Sequence, residues 1–228
     1  MGETDSPPSP RPDELGAWLG RDGPAGLERA HPATARGVLP PARTGPEGSG
    51  CGHDASGWER RRRPLVEAFH RSGSWLDVGC ANGYLLETLP TWVSRRGFTL
   101  EPFGLELIPS VADLARTRLP HLGEHIYTGD VTEWEPPRRW TFVTALSDAV
   151  PPAGLAGLVR RLLDRFAEPD GRVIVSSYGS SSRREPAEAV PERLTEEGFE
   201  VAGSAQARSS KGIIVTQTAW IDARPHAW

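Results

Sequence analysis

Trp75-Leu76-Asp77-Val78-Gly79-Cys80-Ala81-Asn82-Gly83-Tyr84 is the stretch that decides the fold. Trp75 to Val78 has the apolar character of a buried strand, glycines then interrupt it, and a helical pattern opens near Gly83 and runs through Leu89. A Gly-rich turn between strand and helix lets backbone approach a ligand closely, while the helix N-terminus offers free N–H groups. Any nucleotide-like ligand suits that geometry, and the spacing narrows the choice. A dinucleotide turn reads Gly-x-Gly-x-x-Gly with phosphate at the helix terminus. Here Gly79 and Gly83 are four apart with Ala81 between them, and Asp77 lies at the strand end. A carboxylate in that place repels a pyrophosphate and suits a ligand with a cationic amino acid portion.

The pattern repeats outward from this turn. The sequence predicts a helix over Glu59 to Arg71, then strands at Ser74 to Val78 and Thr99 to Leu105, with a helix from Pro109 to Arg118 after them. Strands follow at Ile126 to Thr128 and Thr141 to Leu146, then a helix from Pro152 to Phe166. A turn at Pro169-Asp170-Gly171 precedes a strand at Arg172 to Ser177. A helix at Pro186 to Glu197 and β-rich runs at Phe199 to Ala205 and Ile213 to Ile221 complete the set. Strands alternating with helices imply an α/β, Rossmann-like, doubly wound and mostly parallel sheet. Seven strands are expected, the last antiparallel and joined to its predecessor through Arg208-Ser-Ser-Lys-Gly.

Acids stand at the ends of successive strands. Glu106, in Phe103-Gly-Leu-Glu-Leu, lies twenty-three residues beyond Gly83, where a carboxylate accepts hydrogen bonds from both hydroxyls of a ribose. Tyr127-Thr-Gly-Asp130-Val131 closes the third strand with an acid able to accept from an adenine amino group. Each has a plainer reading. Gly79 and Gly83 could serve tight strand–helix packing, Glu106 could pair with an arginine, and Asp130 could cap the next turn.

With these residues in place, the stretch from about Glu59 to Ile221 resembles the class I S-adenosylmethionine-dependent methyltransferases of the small bacterial type. The resemblance rests on the Asp-x-Gly-x-Ala-x-Gly turn, the acid after strand two, Gly-Asp-Val after strand three, and the Gly171-Arg-Val-Ile-Val strand. It implies an S-adenosylmethionine cofactor, with S-adenosylhomocysteine as product. Asp77, Gly79, Ala81 and Gly83 then shape the methionine pocket, Glu106 binds ribose, and Asp130 and Val131 flank adenine. Leu107 and Leu146 also fall among the implied cofactor contacts. Ala81 replaces a glycine often found in the middle of this turn, which narrows the pocket.

Methyl transfer is a direct displacement that gains most from alignment in a dry site, so a dedicated base is optional. Acceptor contacts belong near the carboxyl ends of strands one, four and five, pointing to Tyr84, Ser147, Asp148 and Tyr178, with Trp58 beside them. Asp148, in Leu146-Ser-Asp-Ala-Val-Pro-Pro, is a candidate catalytic residue that could take an acceptor proton, or could merely end its strand. His53 is a second candidate base if the preceding segment closes over the site; otherwise it is a solvated histidine. The Asn/Asp-Pro-Pro-Tyr signature of many amino-group methyltransferases is absent, which weakens N-methylation of nucleobases or glutamine. Arg60 to Arg63 on a helix point in all directions, so at most one or two could face the pocket, where one could bind the cofactor carboxylate; a solvated face is the expectation. Two other readings stand beside this one: a nicotinamide-dependent oxidoreductase, which needs a pyrophosphate turn, and a cofactor-binding protein without turnover.

The bulk composition agrees with a small-molecule enzyme. The chain has 228 residues, enough for one α/β domain at 58–228 behind a Pro/Gly-rich extension at 1–57. Within that extension only Asp13 to Leu19 and Ala25 to Ala30 suit short helices, and Trp18 and His31 are its conspicuous side chains. A net charge of −4 disfavours a general nucleic-acid partner. Cys51 and Cys80 form no metal-ligand pattern, so no metal is expected. No apolar run is long enough to span a membrane, and the start of the chain lacks the features of a secretory signal, so the cytoplasm is the expected compartment.

Overall fold

The computed structural model describes residues 55–180 and 184–223. The short helices expected at 13–19 and 25–30, with Trp18, His31, Cys51 and His53, lie outside the described residues. Helix α1 (Ala55–Arg62) passes into a 3-10 segment, Arg63–Ala68. Pro64 explains why the single helix expected from Glu59 to Arg71 is cut short: its ring disfavours the α conformation of the residue before it, and it donates no N–H.

Strand β1 (Gly73–Val78), helix α2 (Tyr84–Ser94), strand β2 (Leu100–Glu106), helix α3 (Pro109–Arg118) and strand β3 (Ile126–Thr128) build the first half. Strand β4 (Trp140–Leu146), helix α4 (Leu155–Arg161), strand β5 (Ala167–Tyr178), helix α5 (Val190–Glu196) and strands β6 (Gly203–Arg208) and β7 (Ile214–Asp222) build the second. They form a seven-stranded sheet of order β3-β2-β1-β4-β5-β7-β6. Strands β1 to β5 pair in parallel, and β7 runs antiparallel to both β5 and β6. The expected architecture is thus present, with the antiparallel strand inserted between its neighbours. No helix among the described residues is long and apolar enough to cross a membrane.

Some boundaries differ from the sequence reading. The turn expected at Pro169-Asp170-Gly171 is absorbed as an irregularity inside β5, where pairing jumps from Trp140 with Ala167 to Phe142 with Arg172. Continued pairing on either side holds the two pieces as one strand. The helix expected over Pro152 to Phe166 is α-helical only at its centre, with a 3-10 entry and π turns at Leu162–Phe166. Helix α5 begins at Val190, with Pro191 in its first turn rather than Pro186. β6 lies later than the run Phe199 to Ala205, because its partner β7 fixes the register at Gly203 opposite Trp220.

Side chains alternate between two buried layers. Trp75, Phe142 and Ile174 enter one apolar cluster, while their neighbours Leu76, Val143 and Val173 enter the other. Period-two alternation on strands buried on both faces requires helices on both sides. The chain leaves β1 toward β2 and β3 and then returns to β4 on the opposite side of β1. That reversal opens a crevice at the carboxyl ends of β1 and β4.

Gly104 lets the turn after β1 close onto β2. A Cβ there would stand 2.6 Å from Cys80 Sγ and 2.9 Å from Cys80 Cβ. Overpacking of this kind costs about 1–3 kcal/mol. Gly104→Ala is expected to lower unfolding stability by about that amount in urea titration; an unchanged midpoint would show that the turn has slack.

Candidate functional site at the strand ends

The turn after β1 takes left-handed backbone at alternate residues. Gly79, Ala81 and Gly83 have φ of 80°, 49° and 74°. Alanine is an uncommon choice for such a conformation, and the left-handed region costs an L residue roughly 1–2 kcal/mol. The Gly79 and Cys80 N–H groups both donate to the Leu105 carbonyl, at 2.7 and 3.2 Å. Asn82 is fully buried, and its Oδ1 accepts the Tyr84 N–H at 3.1 Å, capping α2 from inside the turn. A Cβ on Gly83 would meet Leu119 Cδ1 at 2.9 Å, so its smallness serves packing as well as φ. At Gly79 nothing lies within 4 Å of a would-be Cβ. Bare backbone beside open space is what close approach of a ligand needs, and the residues fit a nucleoside carrying an amino acid tail.

Asp77 is 8% exposed and sits in register with Thr144 of β4. The Thr144 hydroxyl donates to Asp77 Oδ1 at 2.7 Å. Burial raises the Asp77 carboxyl to about 7; the Thr144 bond and the Arg62 charge oppose the rise, and Glu106 adds to it. A carboxyl poised there gains from a cationic partner.

Glu106 ends β2 at 2% exposure. Its Oε2 accepts the Ala81 N–H at 2.9 Å and its Oε1 accepts the Ile108 N–H at 3.0 Å. Its partners are therefore backbone donors of two loops rather than an arginine. A carboxylate has about four acceptor positions, so two remain for hydroxyls. Leu107 beside it is 53% exposed, the only large apolar side chain standing open among the described residues. Asp130 is exposed, and its Oδ1 accepts both the N–H and the hydroxyl of Thr132, at 2.8 and 2.7 Å. Val131 is buried in the apolar layer containing Tyr127 and Trp134.

On the other side of the crevice, Leu146 and Tyr178 are half-buried and Ser147 is buried, its N–H donating to the Ser176 carbonyl at 2.9 Å. Asp148 is open to solvent at its edge. The protein around it still strips enough water to raise its carboxyl, with Glu188 adding to the rise and Arg62 opposing it. Trp58, expected beside the acceptor, is buried with its ring 4.7 Å from that of Tyr84 and 5.8 Å from that of Trp92.

The solvated arginine face expected on α1 is corrected by the structure. Arg60 is exposed and Arg63 pairs with Glu59 at 2.8 Å, but Arg61 and Arg62 are buried. Arg61 donates to the Gly179 and Val215 carbonyls at 2.6 and 3.2 Å. The Arg62 guanidinium lies 3.8 Å over the Tyr178 ring and 5.6 Å from that of Trp58. Sequence reasoning missed both, although Trp58 and Arg62, four apart on a helix, share a face.

No family model matches the chain. No curated protein matches it either. Solved structures do. The N-methyltransferase NodS from Bradyrhizobium japonicum WM9 superposes with a TM-score of 0.56 at 16% identity, over 75% of this chain and 99% of that one. A Burkholderia thailandensis 1,6-didemethyltoxoflavin-N1-methyltransferase gives a TM-score of 0.54 at 17% identity, over 97% and 93%. The glycopeptide N-methyltransferase MtfA gives 0.51 at 18%, over 73% and 90%. At such identities the likeness is one of architecture: this chain shares with these methyltransferases a Rossmann-like fold, a seven-stranded sheet with one antiparallel strand.

Proposed function

We propose that the chain is an S-adenosylmethionine-dependent methyltransferase acting on a small-molecule acceptor, of the kind met in secondary metabolism, with residues 58–228 as its catalytic domain. The observation that carries this reading is the grouping of Asp77, the open Gly79 backbone and Glu106 at neighbouring strand ends, beside the β1/β4 crevice. When bound, the cofactor supplies an electrophilic methyl group on a sulfonium. Asp77 is suited to its aminium group and Glu106 to its ribose hydroxyls through the acceptor positions left free. Exposed Leu107 and the Asp130-Val131 corner suit an adenine, one by apolar contact and the other by hydrogen bonding.

The acceptor falls to the opposite wall, among Tyr84, Ser147, Asp148 and Tyr178. The raised carboxyl of Asp148 makes it a better proton acceptor than an ordinary aspartate. Two structural neighbours are a glycopeptide N-methyltransferase and a 1,6-didemethyltoxoflavin-N1-methyltransferase, which supports an acceptor of that scale. Two buried carboxylates beside the turn disfavour the nicotinamide reading, because a pyrophosphate would bring its own negative charge against them.

Calorimetric titration with S-adenosylhomocysteine, with NADH as control, is expected to show micromolar binding of the former alone; the reverse preference would discard the reading. Glu106→Gln leaves one acceptor oxygen where two backbone donors converge, and is expected to weaken that binding by about 1–3 kcal/mol. The pH dependence has a defined sign. A cationic ligand needs ionised Asp77, so binding below about pH 7 releases a proton. Affinity should fall by up to about tenfold per unit as pH drops below that point and level off above it; a flat profile from pH 5.5 to 8.5 would separate Asp77 from the ligand. Asp148→Asn is expected to reduce turnover at near-normal cofactor affinity, and unchanged turnover on a working acceptor would leave Asp148 a purely structural role.

A further inference from the structure

We propose that Thr144, aimed by the Trp75 indole, is a positioning residue that holds the Asp77 carboxylate in the site and sets the pH above which a cationic ligand binds. The ligand half of this inference rests on the cofactor reading above; the geometric half stands on the buried strands alone.

Trp75 and Asp77 are two apart on β1 and project to one face of the sheet. Thr144 of β4 is in register with Asp77. The Trp75 indole Nε1 donates to Thr144 Oγ1 at 2.9 Å. An indole N–H can only donate, so it occupies a lone pair of the hydroxyl and turns the single hydroxyl proton away from itself. Two acceptors stand in that direction, Asp77 Oδ1 at 2.7 Å and the Leu76 carbonyl at 3.3 Å. The nearer is also the charged one, so the chain of donation runs from indole to hydroxyl to carboxylate. Successive hydrogen bonds polarise one another, and an ionised acceptor strengthens the last link.

All three side chains are buried. Valine would fill the space of threonine at this position, so packing alone does not call for the hydroxyl. Its effect is electrostatic: it favours the ionised form of Asp77 against the burial that disfavours it. The other groups facing this carboxylate are Arg62 from α1, which acts with Thr144, and Glu106 from β2, which acts against it. The Cys80 thiol of the turn is pushed well up by burial and stays uncharged. Among them only Thr144 gives Asp77 a direct side-chain hydrogen bond.

The test uses the full chain and two readouts: the Asp77 titration followed by carboxyl carbon NMR without ligand, and the S-adenosylhomocysteine dissociation constant against pH. Thr144→Val is expected to raise the Asp77 midpoint by roughly one to two pH units and to move the affinity midpoint upward by the same amount. Affinity on the high-pH plateau should remain near that of the parent. Thr144→Ser should restore both midpoints. If Thr144→Val unfolds because it orphans the indole donor, combining it with Trp75→Phe removes that donor and asks the same question. Folded variants that titrate Asp77 and bind the ligand as the parent does at every pH would overturn the proposal. Failure of the parent itself to bind would discard the cofactor reading, while the ligand-free Asp77 midpoints would still support or overturn the role of Thr144.

Discussion

The Glu106 carboxylate joins two loops. It receives one N–H from the turn after β1 and one from the entry to α3, both within 3.0 Å. Burying a carboxylate costs several kcal/mol, and hydrogen bonds to a charged group return about 1.5–3 kcal/mol each. Those two bonds therefore offset much of the burial cost and give the carboxylate one orientation. They also help hold Ala81 at its positive φ. Because the turn is tied to Leu105 through two further N–H groups, β1, β2 and the bends beyond them behave as one rigid frame around the open backbone of Gly79.

That frame matters because, apart from the Ser74–Thr141 pair bonded across the amino ends of β1 and β4, the buried polar side chains of the parallel strands lie toward one end of the sheet. Asp77, Glu106, Thr144, Ser147 and Ser176 are all buried near the carboxyl ends of β1, β2, β4 and β5. Elsewhere the same strands present tryptophan, phenylalanine and branched aliphatic side chains to the two layers. The side chains of Asp77, Glu106, Thr144 and Ser176 each have a partner, as in the bonds of Thr144 to Asp77 at 2.7 Å and of Ser176 to Thr218 at 2.9 Å. Satisfied polar groups at the mouth of a parallel sheet are compatible with stability, and they are also what a polar ligand can read.

The sequence was legible where structure is decided locally. Pro109 at a first helical turn and the short apolar run Ile126 to Thr128 are found as read, and the alternation of strands and helices led directly to the sheet. The strand-end acids were legible because glycine spacing and an acid after a strand are chain-local signals. Legibility failed where distant partners decide. Arg61 is buried because carbonyls 118 and 154 residues away accept its guanidinium, and nothing within a four-arginine run announces them. β6 could not be bounded without the register of β7, and the irregularity in β5 reads as an ordinary Pro-Asp-Gly turn until β4 pairs on both sides of it. Thr144 was passed over for the same reason: its indole donor and its carboxylate acceptor both come from another strand.

The charge balance of the crevice connects these elements to chemistry. Asp77, Glu106 and Asp148 bring carboxyl groups to neighbouring strand ends, and Arg62 is the cation felt by both Asp77 and Asp148. That guanidinium is buried and lies 3.8 Å over the Tyr178 ring. A ligand bearing two phosphates would add negative charge where carboxylates already crowd, and its entry would push Asp77 further toward the neutral acid. A ligand bearing positive charge draws Asp77 the other way, recovering in binding some of the free energy that burial withheld from its ionised form. Under the proposed function, the cost of keeping a carboxyl poised near neutrality inside the sheet would become discrimination between two classes of nucleoside ligand that the same architecture could otherwise accommodate.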